Sequence, residues 1–257
     1  MPPNKLILVT GGSRGIGQAT SILLASKGYD VAINYRSDTV SAHNVWDEIQ
    51  SMKNDDNGIG DAMTFQADVS KEEEVSRLFQ NIHQHFSRDP DGLVNNAGIV
   101  GERIPNNDIT LMSTPDLQKV IETNTYGPFY CIREFVSRVS TQKEGGKGGT
   151  IVNVSSGAAY IGTGNLFYSM SKGALDSMMI GLSQSLPRLH GIRINSVVPG
   201  MTETDMCTPE QIEANKHLVP MGRGGKPEEV AESILFLLGE NSYFCCGAKI
   251  RVAGGRP

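Results

Sequence analysis

A short apolar run, Lys5-Leu-Ile-Leu-Val9, passes directly into the glycine-rich stretch Thr10-Gly-Gly-Ser-Arg-Gly-Ile-Gly17. Helical periodicity follows at Ile16, Ala19, Leu23 and Leu24 and stops near Gly28. Few folds accept that order. An apolar run of this length suits a buried parallel strand. Glycines let backbone amides approach a pyrophosphate, and a helix N-terminus adds a positive dipole. The spacing is Gly11-x-x-x-Gly15-x-Gly17 rather than G-x-G-x-x-G, and a glycine turn serving only tight packing is the alternative.

The same alternation recurs along the chain. Strands are expected at Asp30–Tyr35, Ala62–Ala67, Asp91–Val94, Ile151–Val154, Gly191–Val198 and Gly247–Val252, with helical patterns between them. This predicts an α/β fold, a parallel sheet with ligands at the carboxyl ends of its strands. With 257 residues, 39% hydrophobic and 20% charged, the composition is that of a globular α/β protein, and residues 1–257 are expected to form one domain. Ser37 to Met52 should be a helix with Asp38 as its N-cap. Ser70 with Glu73 reads as a capping box. Thr114 to Gln142 should be a long helix kinked at Gly127-Pro128, with Asn124 one turn earlier. Lys53 to Gly60 is a polar connection, and Pro227 starts a helix ending at Leu238.

A formal charge of −5 argues against a nucleic-acid or anionic-membrane surface, which needs a basic field. No apolar run approaches the ~20 residues of a membrane span, and Leu6 to Val9 is too short for a signal segment. Cys131, Cys207, Cys245 and Cys246 show no metal spacing, so reduced thiols and a cytoplasmic protein are expected.

Two places carry chemistry. Strand two ends Asn34-Tyr35-Arg36 instead of in an acid that would hold a ribose hydroxyl. Arg36 and Arg14 could pair with a 2′-phosphate, which favours NADP(H) over NAD(H); solvated surface arginines are the alternative. The second place is Tyr168-Ser-Met-Ser-Lys172. A separation of four residues puts phenol and ammonium on one helical face. A fixed cation favours the phenolate and should bring a tyrosine of pKa about 10 into range for proton transfer. With seven tyrosines in the chain the pair is weak evidence alone; its weight comes from its surroundings. Ser155-Ser156 closes strand five, where a hydroxyl can bond a substrate carbonyl or simply cap a turn.

Taken in order, Thr10-Gly-x-x-x-Gly-x-Gly17, Asp68, Asn95-Asn-Ala-Gly98, Asn124, Ser155-Ser156, Tyr168-x-x-x-Lys172 and Pro199-Gly200 resemble the short-chain dehydrogenase/reductase family over essentially the whole chain. The resemblance implies a doubly wound Rossmann fold with a seven-stranded parallel sheet and helices on both faces. It also implies a homotetramer or homodimer and hydride transfer between a nicotinamide and a small carbonyl or alcohol. Tyr168 would be the general acid in reduction. Lys172 would hold the nicotinamide ribose, Ser156 would orient the substrate oxygen, and Asn124 would anchor a water. Gly11, Ser13, Arg14, Ile16 and Gly17 would face the phosphates, Tyr35 and Arg36 the 2′-position, and Asp68 with Val69 the adenine. Asn95, Ala97 and Gly98 would line the ribose region, and Pro199, Gly200, Thr202 and Thr204 the carboxamide side. Tyr168 lies thirteen residues after Ser155, the interval common in the family, and twelve after Ser156; Ser156 is preferred because Gly162 follows it by six. Within the family a 3-oxoacyl-ACP reductase or a sugar dehydrogenase fits the sequence equally, and a non-catalytic NADP(H)-binding regulator is the reading from another class.

Overall fold

A computed structural model describes residues 4–53, 58–162 and 165–256; residues 54–57 of the expected polar connection lie outside these. Its elements in order are β1 (Leu6–Val9), α1 (Gly15–Ser26), β2 (Asp30–Tyr35), α2 (Thr39–Ser51), β3 (Ala62–Gln66), α3 (Glu72–Phe86) and β4 (Gly92–Asn95). Then come α4 (Thr114–Ile121), a π turn (Glu122–Tyr126), α5 (Gly127–Val139), β5 (Gly149–Val154), α6 (Ala158–Ile161) and α7 (Leu166–Ser183). The last are α8 (Leu186–His190), β6 (Ile192–Pro199), α9 (Pro209–Asn215), α10 (Pro227–Leu238) and β7 (Lys249–Val252).

The strands form one seven-stranded sheet in the order β3-β2-β1-β4-β5-β6-β7, every pair parallel. Both faces are apolar, and side chains alternate between them. Leu6, Leu8, Leu93, Ile151 and Ile194 face α3, α5 and α7 through Phe79, Phe135 and Met179. Ile7, Val9, Ile33, Val94 and Val152 face α1, α2 and α10 through Leu24, Ile49 and Ile234. Each fully buried aliphatic side chain is worth ~1.5–3 kcal/mol, so a one-residue slip of any central strand would exchange two sealed layers. Register also aligns the carboxyl ends: Val9 pairs with Ile33 and Val94, Asn95 with Asn153, and Val154 with Val197. The expected doubly wound sheet is therefore present.

Asp38 caps α2, accepting the Ser41 N–H at 3.0 Å. Two local expectations are corrected. There is no capping box at Ser70: α3 starts at Glu72 after an uncapped Lys71. Asp68 takes the Ser70 N–H at 2.9 Å while Glu74 takes the Asp68 N–H at 2.8 Å, and this Asx turn delays the helix. The break in the long helix also precedes Gly127-Pro128. Pro128 cannot donate to the carbonyl four residues back, and the chain opens into a π turn over Glu122–Tyr126. Asn124 sits inside that turn.

Candidate active site

A cleft of about 590 Å³ runs along the carboxyl ends of the strands. At one end the glycine turn is built by two asparagines that sequence reading did not single out. Gly11 and Gly12 donate their N–H groups to Asn34, at Oδ1 (3.3 Å) and the carbonyl oxygen (2.8 Å). Asn34 Nδ2 donates to the carbonyls of Phe65 (3.3 Å) and Ala67 (3.1 Å). Asn96 Nδ2 donates to the carbonyls of Thr10 (3.0 Å) and Gly11 (2.9 Å), and Thr10 Oγ1 accepts from the N–H groups of Asn96 and Ala97. Three strand ends are thus stitched to one loop. Gly11 itself lies at φ +59°, a left-handed conformation glycine adopts freely. Arg14 precedes α1 with no side-chain cap, and no acid occupies the first turn. The helix N-terminus therefore keeps free N–H groups and a positive end for an anion.

Beside this turn the cleft is lined by Tyr35, Arg36, Asp68 and Val69. Arg36 has no ion pair among the described residues, whereas Arg14 Nη1 lies 3.2 Å from Asp205 in an exposed pair. Asp38, the first acid after β2, is committed to Ser41 through both oxygens.

At the other end stand Ser156, Tyr168 and Lys172. Asn165 caps α7 by accepting the Tyr168 N–H at 3.0 Å, which orients the first turn. Ser156, past the end of β5, accepts the Ala158 N–H at 3.1 Å and shares the cleft wall with Tyr168, whose phenolate it favours. Ser155 Oγ is buried with no hydrogen-bond partner among the described residues. Both serines line the cleft, and it is Ser156 that favours the Tyr168 phenolate. Lys172 is 3% exposed, and its Nζ donates to the Val154 carbonyl at 2.7 Å.

The electrostatics differ from the expectation that a neighbouring ammonium acidifies the phenol. Burial pushes Tyr168 above the ordinary tyrosine value, and the Ser156 hydroxyl opposes this. The Lys172 ammonium, 5.7 Å from the Tyr168 ring centroid, is turned toward the strand carbonyl. Burial brings Lys172 down to about 8, with the charge of Asp176 acting against the fall. Desolvation therefore outweighs the Ser156 effect at the phenol. In this state Tyr168 is protonated at neutral pH.

Of the residues expected in the site, Gly17, Asn95 and Asn124 do not reach the cleft wall; Ser13, Ile16, Ala97, Gly98, Pro199, Gly200, Thr202, Thr204 and the rest do. Gly17 packs α1 onto the turn, where a Cβ would lie 2.1 Å from the Gly11 carbonyl oxygen. Asn95 is buried and donates from Nδ2 to Asn153 Oδ1 at 3.0 Å, between β4 and β5; its neighbour Asn96 takes the cleft position. Asn124, fully buried, accepts the Ile99 N–H at 2.9 Å and donates to the Ile99 carbonyl at 2.8 Å and Ser171 Oγ at 3.0 Å. It fastens the loop after β4 to α7. Gly98 leaves room beside it: a Cβ there would lie 3.3 Å from Asn124 Oδ1 and 3.6 Å from Lys172 Nζ.

An anion-ready helix end, a free guanidinium and a cleft continuing to a phenol fit a phosphorylated dinucleotide in chemistry and order. Known proteins agree on the class. Residues 11–256 match the family model described as Enoyl-(Acyl carrier protein) reductase. An uncharacterized oxidoreductase, YgfF of Escherichia coli K12, is 40% identical over 98% of this chain and 99% of its own. A 3-oxoacyl-[acyl-carrier-protein] reductase of Synechocystis is 35% identical over 98% of this chain and 96% of its own. A Burkholderia xenovorans crystal structure assigned to the short-chain dehydrogenase/reductases superposes with a TM-score of 0.86 at 26% identity, covering 99% and 98% of the two chains. Matched over 98–99% of its length by these relatives and carrying the seven-stranded parallel sheet, this chain belongs to the short-chain dehydrogenase/reductase family of oxidoreductases.

Proposed function

We propose that the protein is an NADP(H)-dependent oxidoreductase that interconverts a carbonyl and a secondary alcohol, with Tyr168 as its general acid/base. The observation that carries this is Ser156 and Tyr168 together on the cleft wall, with the Lys172 ammonium buried behind them. Bound nicotinamide supplies the hydride. Tyr168, protonated at rest, gives its proton to the oxygen of a carbonyl as negative charge develops there. Ser156 shares that oxygen and orients it, and Lys172 stabilises the phenolate left behind. Asn124 keeps the loop from Gly98 to Ile99 against α7 so that these groups stay aligned. The amides of Gly11, Ser13, Arg14 and Ile16 would hold the pyrophosphate, Arg36 with Tyr35 the 2′-phosphate, and Asp68 with Val69 the adenine. Pro199, Gly200, Thr202 and Thr204 would flank the carboxamide.

Among substrates, a 3-oxoacyl thioester is favoured over a sugar. Beyond Tyr168 the wall carries Val100, Ile161, Met201 and Met206, with Arg103 and Arg256. Apolar and polarizable side chains suit an acyl chain, and arginine suits the phosphates of a thioester carrier. The Synechocystis relative is named for that substrate class. The protein is taken as one domain and as a cytoplasmic homotetramer or homodimer, supported by its four free cysteines and by exposed Phe129, Met170 and Ile180 on α5 and α7. No described helix is long and apolar enough to cross a membrane. The test is NADPH oxidation with a panel of 3-oxoacyl thioesters, diketones and keto-sugars. Thioesters should turn over best, and Tyr168→Phe should lose at least about 100-fold in kcat with NADPH affinity retained. Tight NADPH binding with no turnover on any member would instead favour a regulator.

A further inference from the structure

One helical turn beyond Lys172, Asp176 is only 4% exposed. The two residues are four apart on α7, and therefore on the same face. A carboxylate so deeply placed must be compensated. Tyr160 of α6 donates its hydroxyl to Asp176 Oδ2, and Lys249 Nζ of β7 lies 3.4 Å from the same oxygen. Lys249 Nζ and the Arg251 guanidinium also sit 5.2 and 5.8 Å from the Tyr160 ring centroid. Asp176 Oδ1 has no hydrogen-bond partner among the described residues and is sealed from solvent. The surroundings are thus one carboxylate, held on one oxygen by a phenol and a partly exposed ammonium, with the buried Lys172 next along the helix.

Lys249 could have been solvated without help, its side chain being 27% exposed. Lys172 could not: among the described residues its acceptor is the Val154 carbonyl alone. We propose that Asp176 is a positioning residue whose carboxylate, held in place by Tyr160 and offset in part by Lys249, keeps Lys172 an ammonium at the catalytic tyrosine. The inference rests on the reading that Lys172 acts in its charged form. Its sign follows from the groups around Lys172 and Asp176: Asp176 attracts the Lys172 charge, Lys249 screens Asp176 and repels Lys172, and Tyr160 and Tyr168 are neutral. Burial alone would strip Lys172 of its proton more readily, and Asp176 opposes it.

The two perturbations have opposite signs. Asp176→Asn keeps an oxygen that accepts from Tyr160 but removes the charge, so Lys172 should titrate lower by about one unit or more. Lys249→Met, at a partly exposed site, removes the screening cation, so Lys172 should titrate higher. NMR of protein carrying 13Cε-lysine, with the Lys172 signal assigned by its loss in Lys172→Arg, reads both directly and needs no substrate. Asp176→Glu should restore most of the difference. On a substrate that turns over, the high-pH loss of kcat/KM should move with the same signs. A folded Asp176→Asn protein that leaves the Lys172 midpoint in place overturns the proposal. If that variant does not fold, Asp176→Ser decides in its place: a fall in the Lys172 midpoint supports the proposal and an unchanged midpoint refutes it. Should Lys172→Met and Tyr168→Phe both remain active, the functional reading fails instead, whatever Asp176 does.

Discussion

Replacing Gly17 by alanine sets two effects of opposite sign against each other. Gly17 is the third residue of α1, where alanine is the better helix former by ~1 kcal/mol. Its Cβ, however, would lie 2.1 Å from the Gly11 carbonyl oxygen, 2.9 Å from the Gly11 carbonyl carbon and 2.5 Å from Asn96 Nδ2. None of these is a free side-chain end. The Gly11 backbone belongs to the turn, and Asn96 Nδ2 is held by two carbonyls at 3.0 and 2.9 Å. Contacts of Cβ under 3.0 Å are essentially never seen, so turn and helix must part. The two Asn96 bonds are then weakened, at ~1 kcal/mol each, and overpacking adds ~1–3 kcal/mol. The loss exceeds the helix gain by roughly 2–4 kcal/mol, a Tm decrease of about 5–10 °C for a chain this size. Gly181→Ala is the control. It lies exposed in α7 with nothing within 4 Å of its Cβ position, and should be neutral or stabilising by up to ~1 kcal/mol. Thermal unfolding by circular dichroism compares the two, and NADPH titration by fluorescence shows whether the separated turn still binds phosphate. A Gly17→Ala protein as stable as Gly181→Ala, with cofactor affinity unchanged, would refute the packing argument.

Other outcomes follow from single groups. Arg36→Ala should reduce the NADPH-over-NADH preference in kcat/KM by at least about 10-fold, the scale of one charge-assisted phosphate contact; an unchanged preference places the 2′-phosphate elsewhere. Glu229 is held down at about 2 by its hydrogen bond to Arg223, and also by the Lys226 N–H. A depressed folded value contributes stability that is present above the unfolded carboxylate pKa of about 4.3 and lost as pH falls toward about 2. Wild type and Glu229→Gln should therefore differ in Tm at pH 5 and converge as the pH falls to 2. A constant difference would show that Glu229 acts through packing instead.

How much was readable before folding depended on whether a feature was local. The strand run Leu6–Val9, the glycine turn, the Asp38 cap and the Pro227 helix start were legible because period, glycine and cap chemistry act within a few residues. The order of Tyr168, Lys172 and the serines marked the family for the same reason. Other assignments needed neighbours far away in the chain. Asn34 and Asn96 carry no local signal as turn builders, since their partners belong to other strands. Asn95 and Asn96 differ in destination only because one faces Asn153 across the sheet. The start of α3 moved because Asp68 and Glu74 captured the amides ahead of it. Sequence by itself determined the sheet and the placing of Tyr168 and Lys172 on one helical face. Tertiary structure decided the protonation of that pair: burial raises Tyr168 against Ser156 and lowers Lys172 against the Asp176 charge, because desolvation and Coulomb energy depend on what surrounds a group in space.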